Sequence, residues 1–451
     1  MNTDSRKKLI LNGSMYKVIL TLSLPIMISN LIQTLYNLVD GIWVGKLGSV
    51  QFAATSFVWP VIFLFISIGS GMSIAGTSLL SQLIGASKYE KASKYASQLI
   101  VISVICAVIF SALGYLISPI IIKLMGASGD LAYYSNIFLK ITFLDMPFTF
   151  IFFSFNAIMN SQGNTMMSTI LSGCSVILNV ILDPILIFNL NLGMAGAPIA
   201  TLIAKAVLAF VGLYILHKSK SEVKPNFRNF KFDIRLIKRI FRVAIPSAIG
   251  QSGSALGFIV INGFIASYGT ATIAAFGMVN RITSLIMQPS MGVGAALTAI
   301  VGQNLGSDKV HRVKEAFIKA VKLTMTFSII GCIIMIWQDE PIINFFIQSK
   351  DDPSVITQGI TYLIYISFSM PLMGLFSIYQ GIFQGAGHTK YSMNMEIGRL
   401  WLVRLPMILL FKYITSAGPV GIWFSMSFSN LIVCIYAYIV YRKGKWQKKQ
   451  I

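Results

Sequence analysis

The sequence predicts an all-α membrane protein of twelve transmembrane helices, arranged as two pseudo-symmetric six-helix lobes. Three observations carry this expectation: long apolar runs, Lys and Arg concentrated in alternate connections, and an internal repeat. Of 451 residues, 55% are hydrophobic and 11% charged, with a mean hydropathy of +0.74, which excludes an ordinary soluble domain. The net charge of +21 would suggest nucleic acid as the partner of a soluble chain. Here the basic residues lie in short clusters between apolar runs, so no nucleic-acid face is expected.

A helix crosses the hydrocarbon core with about 20 mostly apolar residues. By that measure the candidate spans are 15–40, 51–80, 95–118, 134–158, 166–189, 194–216, 240–266, 271–300, 316–337, 357–383, 392–411 and 419–441. The first follows Arg6, Lys7 and Lys8 as a signal peptide would, but it is too long for such a core and has no small-residue cleavage pattern, so it reads as a retained span. With the N-terminus inside, 25 of the 36 Lys and Arg fall on that side, nine of them between Lys218 and Arg242. Only Lys46, Lys123, Lys350 and Lys412 fall on the other. The bias predicts a multi-pass protein with both termini cytoplasmic, in a prokaryotic plasma membrane, and places the acidic loop of Asp339, Glu340, Asp351 and Asp352 outside. The basic side also suits a bilayer with anionic headgroups.

At an offset of 221, Pro25 aligns with Pro246, Gly48 with Gly269, Gln82 with Gln303, Gly85 with Gly306 and Lys88 with Lys309. At 224, Met146 and Pro147 align with Met370 and Pro371, Gly163 with Gly387 and Thr165 with Thr389; at 225, Gly193 and Gly196 align with Gly418 and Gly421. An ordered series with a slowly drifting offset is the trace of a duplicated six-span unit, and an even span count gives both copies one orientation. The expected division is an N-terminal lobe over 1–216, a basic cytoplasmic linker over 217–239 and a C-terminal lobe over 240–451. Two such bundles suggest a cleft that opens to alternate sides, the plan of a secondary transporter. Cys106, Cys174, Cys332 and Cys434 lie singly in apolar runs without metal or disulfide spacing, and no phosphate loop or nucleophile motif stands out, so an enzyme is not expected.

Acids inside spans are costly and point to function. Asp40, Asp145 and Asp183 lie within spans, while their repeat counterparts are Ile261, Ser369 and Met407. An asymmetry of this kind places an ion site in the N-terminal half. Gln33, Tyr36, Asn37 and Asp40 form one polar stripe on the first helix, and Asn179 and Asp183 stack four apart ahead of Pro184, which frees a backbone carbonyl. Thr201 lies at similar depth in the sixth span. Two carboxylates, an amide and a hydroxyl are hard oxygen ligands for a small cation such as Na⁺, and two carboxylates in a dry site could instead hold a proton. Asp145 has Lys205 and Lys140 as candidate structural partners. Glu396 and Arg399 read as a solvated pair near the membrane surface. Arg281, in the middle of the eighth span, either lines the cleft or bonds a backbone carbonyl.

The stretch Leu24-Pro25 through Gln33-Thr34-Leu35-Tyr36-Asn37-Leu38-Val39-Asp40, with Val44-Gly45-Lys46-Leu47-Gly48, resembles the first-helix signature of the multidrug and toxic compound extrusion (MATE) family. The resemblance extends to Asn179–Pro184 and Gly193–Thr201 and covers essentially the whole chain. It implies the MATE/MOP-type fold, a V-shaped pair of lobes that exports lipophilic or cationic organic compounds by cation antiport. It assigns Asp40, Asn179, Asp183 and Thr201 to the coupling-ion site, as in the DinF-like branch, and makes Gln33, Tyr36, Asn37 and Asn156 plausible lining for substrate. No cofactor is expected beyond a coupling ion, Na⁺ or H⁺, and the protein is expected to act as a monomer. Pro25 is the candidate hinge of the first helix. The rival reading is a lipid-linked oligosaccharide flippase of the same fold, which would more naturally need a strongly cationic cleft.

Overall fold

In the computed structural model, residues 3–219, 221–228, 230–346 and 353–451 are described; Lys350, Asp351 and Asp352 of the expected outer loop lie outside them. A short helix α1 (Thr3–Asn12) precedes the spans α2 (Met15–Gly45), α3 (Ser49–Gly85), α4 (Tyr89–Leu124), α5 (Gly129–Ser161), α6 (Thr165–Pro184) and α7 (Gly196–Lys218). The second half repeats them as α8 (Ile234–Ala266), α9 (Thr270–Gly306), α10 (Val310–Trp337), the short α11 (Asp339–Phe346), α12 (Pro353–Gly385), α13 (Thr389–Ile397), α14 (Leu405–Ile414) and α15 (Pro419–Arg442).

Among the described residues, eleven helical segments are long and apolar enough to cross a membrane. The remaining expected span, 392–411, is helical but in three pieces: α13, a π-helical turn Gly398–Arg404, and α14. A second π-helical turn, Ile185–Asn189, follows Pro184, where the missing N–H has already interrupted the α-helical ladder. Several helices overrun the expected limits, because α3 and α9 continue past the apolar stretch into a polar end that is buried between lobes rather than exposed to water.

The two lobes meet by reciprocal close packing of small residues. A Cβ on Gly71 of α3 would lie 2.6 Å from the Ala244 carbonyl of α8, and one on Gly292 of α9 would lie 2.4 Å from Met27 and 3.3 Å from the Ser23 carbonyl of α2. Each member of the second contact is the repeat counterpart of one in the first, at an offset of 221. Further along, a Cβ on Gly85 would stand 2.0 Å from the Gln303 carbonyl and one on Gly306 2.1 Å from the Gln82 carbonyl. Only glycine lets backbones approach so closely. Gln82 Nε2 then donates to the Gly385 carbonyl (3.1 Å), and Gln303 Nε2 to the Ser161 carbonyl (2.7 Å), again a repeat-related pair.

The lobes also exchange their entering segments. Met15, Val18, Ile19 and Leu22 of α2 pack into an apolar cluster with α9, α10, α12 and α15, while Leu236, Ile240, Val243 and Ala244 of α8 pack with α3 and α4. Buried positions crowd the Gly71–Gly85 half of α3 and the Gly292–Gly306 half of α9, and thin out toward Ser49 and Thr270. The cleft therefore opens away from the face that carries both termini. On the closed face α1 spans the seam: Lys7 donates to Ser87 (2.8 Å) and Tyr89 (2.9 Å) of one lobe, and Arg312 of the other donates to the Ile10 (3.3 Å) and Gly13 (2.8 Å) carbonyls. The linker is pinned as well, with Ser97 Oγ donating to the Asn226 carbonyl (3.0 Å) and Gln98 Nε2 to that of Lys231 (2.6 Å). It ends at Asp233, whose carboxylate accepts from the Arg235 and Leu236 amides (2.9 and 3.2 Å) and caps α8.

Candidate functional site

Three helices of the N-terminal lobe bring the expected polar residues together. Helical spacing puts Tyr36 and Asp40 on one face of α2, and Asn179 and Asp183 on one face of α6. The Tyr36 hydroxyl lies 3.0 Å from Thr201 Oγ1 on α7. With the Asn179 amide oriented to satisfy both neighbours, its nitrogen donates to Asp183 Oδ2 (3.1 Å) and its oxygen accepts from Thr201 Oγ1 (3.2 Å) and the Thr201 backbone N–H (3.1 Å). A directed chain results: Tyr36 to Thr201, Thr201 to Asn179, Asn179 to Asp183. Asn179 and Asp183 are 2% and 0% exposed, a depth at which an unpartnered polar group would be costly.

Asp40, one turn beyond Tyr36, is half-buried and has no hydrogen-bond partner among the described residues. Beneath the cluster, Lys205 Nζ lies 2.9 Å from Asp145 Oδ2, and Thr149 Oγ1 donates to Asp145 Oδ1 (2.8 Å). Of the two partners open to Asp145, the structure selects Lys205. Lys140 instead sits 5.2 Å from the Tyr115 ring centroid. The neighbourhood thus holds three carboxylates against one ammonium, which is itself occupied. Asp40 and Asp183 are left as oxygen donors for a small cation or as carriers of a proton. No group of three or more His, Cys, Asp and Glu able to hold a metal occurs among the described residues.

Gln33 and Asn37 are exposed on α2 and meet each other at 3.4 Å. Asn156 of α5 is half-buried, and its Oδ1 has no partner. Arg281 is exposed on α9 of the other lobe and shares no hydrogen bond or ion pair with the cluster. Pro25 is buried within α2, and its carbonyl accepts from Thr169 Oγ1 (2.7 Å).

The solvated pair expected at Glu396 and Arg399 is not found. Both are buried, at 8% and 9% exposure: Glu396 accepts from Gln380 Nε2, and the Arg399 guanidinium lies 4.4 Å from the Phe376 ring centroid. The reason is local: α13 runs against α8 at Gly250, where a Cβ would stand 2.6 Å from Glu396 Oε2, so the missing side chain makes room for the carboxylate. Arg404 is likewise buried, a feature that mid-span arginine in the sequence signals but that a search for acids passes over.

Known proteins resemble this chain over nearly its whole length. The model of the MatE family matches residues 25–185 and 246–410, one stretch in each repeat. Probable multidrug resistance protein YpnP of Bacillus subtilis is 25% identical over 441 residues, 97% of each chain. Multidrug export protein MepA of Staphylococcus saprophyticus is 27% identical over 437 residues, 95% of this chain and 94% of its own. Among solved structures, a MOP superfamily transporter from Pyrococcus furiosus superposes with a TM-score of 0.91 at 25% identity over 98% of both chains. The outward-facing conformation of a multidrug resistance MATE family transporter gives 0.90 at 25% identity, over 96% of this chain and 97% of that one. Matched in both halves and related from end to end, the chain belongs to the MatE family and is a membrane transporter rather than an enzyme.

Proposed function

We propose that the protein exports small organic compounds, lipophilic or cationic, by antiport against Na⁺ or H⁺, with the 1–216 and 240–451 lobes rocking about their seam. The observation that carries this reading is the Tyr36–Thr201–Asn179–Asp183 chain beside the unpartnered Asp40, an acidic site inside spans that the second repeat lacks. The relatives named for multidrug resistance and export support the substrate class.

With the termini cytoplasmic, the cleft faces outward here, and an external cation would enter at Asp40. Charge neutralisation at Asp40 and Asp183 then allows the Asn179–Thr201–Tyr36 chain to hold α2, α6 and α7 together in a new register, which displaces substrate from Gln33, Tyr36, Asn37 and Asn156. Pro25 serves as the hinge, since its missing N–H leaves α2 one hydrogen bond short at that level. Arg281 contributes a positive wall on the opposite lobe. Each inward positive charge draws about 2.3 kcal/mol per 100 mV from the membrane potential.

Purified protein in liposomes, energised by a Na⁺ or a pH gradient, tests the reading. Asp40→Asn and Asp183→Asn should each abolish gradient-driven efflux of a fluorescent organic cation while leaving its binding measurable. Equal efflux from wild type and both variants would refute the site.

A further inference from the structure

The pseudo-symmetry shows what stands in the C-terminal lobe where the N-terminal lobe keeps Asn179 and Asp183. The repeat offset is 224 at Thr165 and Thr389 and 225 by Gly193 and Gly418, so one extra residue enters between them. The π-helical turn Gly398–Arg404 is such an insertion, because a π turn accommodates an additional residue. From its last residue onward, Arg404 takes the place of Asn179, Ile408 that of Asp183, Met426 that of Thr201 and Asn430 that of Lys205.

The contacts agree with this register. Asn179 meets Thr201 in one lobe, and Arg404 Nη2 donates to the Met426 carbonyl (3.1 Å) in the other. Lys205 meets Asp145, and Asn430 Nδ2 donates to Ser369 Oγ (3.4 Å). Arg404 is 3% exposed, and its remaining bonds run to Ser429 Oγ (2.9 Å) and Asn430 Oδ1 (3.3 Å), all neutral acceptors. Among the described residues no carboxylate lies within ion-pair distance of it. The counterpart of Asp40, Ile261, is fully buried and apolar.

We propose that Arg404 makes this second polar cluster positive and bars a cation from it, which confines ion coupling to a single site in the N-terminal lobe. The inference rests on the ion-site reading above. A guanidinium keeps its charge near neutral pH, so its field acts on any cation that approaches. At a separation of about 5 Å and an effective dielectric near 20, its repulsion weakens binding of a second monovalent cation by on the order of a hundredfold. The two repeats would then have diverged into one lobe that binds and releases the ion and one held in a fixed electrostatic state.

Binding of radioactive sodium to purified full-length protein, measured by scintillation proximity, tests this with three variants. Ile408→Asp alone should bind no more Na⁺ than wild type, because Arg404 one turn away neutralises the new acid. Arg404→Asn/Ile408→Asp, which recreates the Asn179 and Asp183 pair, should gain a second class of Na⁺ site. Arg404→Lys/Ile408→Asp, with the charge retained, should gain none. Extra Na⁺ on Ile408→Asp or on the lysine variant overturns the proposal, as does its absence from a monodisperse Arg404→Asn/Ile408→Asp protein. Should that variant fail to fold, Arg404→Gln/Ile408→Asp keeps an amide for Ser429 and Asn430. A gain in the double variant with no Na⁺ bound by wild type would reject the N-terminal lobe as a Na⁺ site while leaving the role of Arg404 intact.

Discussion

Asp145 and Asp183 are both fully buried acids of one lobe, yet their surroundings give them different work. Asp145 is satisfied by Lys205 and Thr149, whereas Asp183 is held by a neutral amide and has no cationic partner among the described residues. Removing one member of a buried ion pair leaves the other charge uncompensated, typically at a cost of about 3–5 kcal/mol. Lys205 retains 29% side-chain exposure, so Asp145→Asn is expected to destabilise by less, about 2–3 kcal/mol. Asp145→Asn/Lys205→Met should recover most of that loss. Thermal unfolding in detergent measures both, and equal losses would mean that the pair's charge is not what matters. The sequence exposed Asp145 and named Lys205 among its possible partners; the choice between Lys205 and Lys140 depended on which helix packs against α5. The burial of Glu396 is hidden from the sequence for a related reason, since it comes from Gly250, far away in the chain and without a side chain to announce the contact.

At the scale of the elements, the long helices were legible and so was the break after Pro184, but the interruption of the eleventh span was not. Hydropathy located the spans, but the π-helical turn Gly398–Arg404 has no proline within it to mark a break, and only the drift of the repeat offset hinted at an added residue. The glycines of α3 and α9 are informative in both views: the alignment pairs Gly85 with Gly306, and the structure gives each a carbonyl of the other lobe at a distance no Cβ tolerates. Gly85→Val and Gly306→Val should each leave their own lobe folded but wedge the seam apart. In a background without the four native cysteines, Ser81→Cys, at a position buried in that seam, should then become on the order of tenfold more reactive toward a permeant maleimide, corresponding to about 1.4 kcal/mol. Unchanged labelling together with wild-type transport would show that the seam does not need this close approach.

Over the whole molecule, the closed face is tied down by segments from both ends of the described chain. The Gln450 backbone N–H donates to Gln82 Oε1 (2.9 Å), Lys449 pairs with Asp308 (2.6 Å), and His388 Nε2 lies 3.0 Å from the Lys448 carbonyl. The Gln450 contact bridges the lobes, so it holds only while this face is shut, and the other two fasten the same tail to the C-terminal lobe. Burial pushes the His388 pKa below its ordinary value, outweighing the carbonyl contact that raises it. A histidine whose folded pKa is lowered supports the docked state fully above the ordinary value near 6.5, and that support is lost as pH falls through about 6.5 toward the lowered folded pKa. Protection of residues 445–451 against hydrogen exchange, taken relative to the intrinsic rate at each pH, should therefore fall on acidification through that range. The loss of protection should shrink in His388→Gln, and an unaltered pH response in that variant would exclude the histidine as its source.

Composition, charge placement and repetition along the chain were enough to determine a two-lobed helical membrane protein with scarce acids in one half. These properties are local or periodic, and solvent preference acts on them before any tertiary contact forms. The reciprocal seam of Gly85 with Gln303 and Gly306 with Gln82, the exchange of the entering segments of α2 and α8, and the burial of Glu396 and Arg404 were decided only by the tertiary structure. Each depends on which helix faces which, and on sites where a missing Cβ or an added π-turn residue admits a neighbour from another helix.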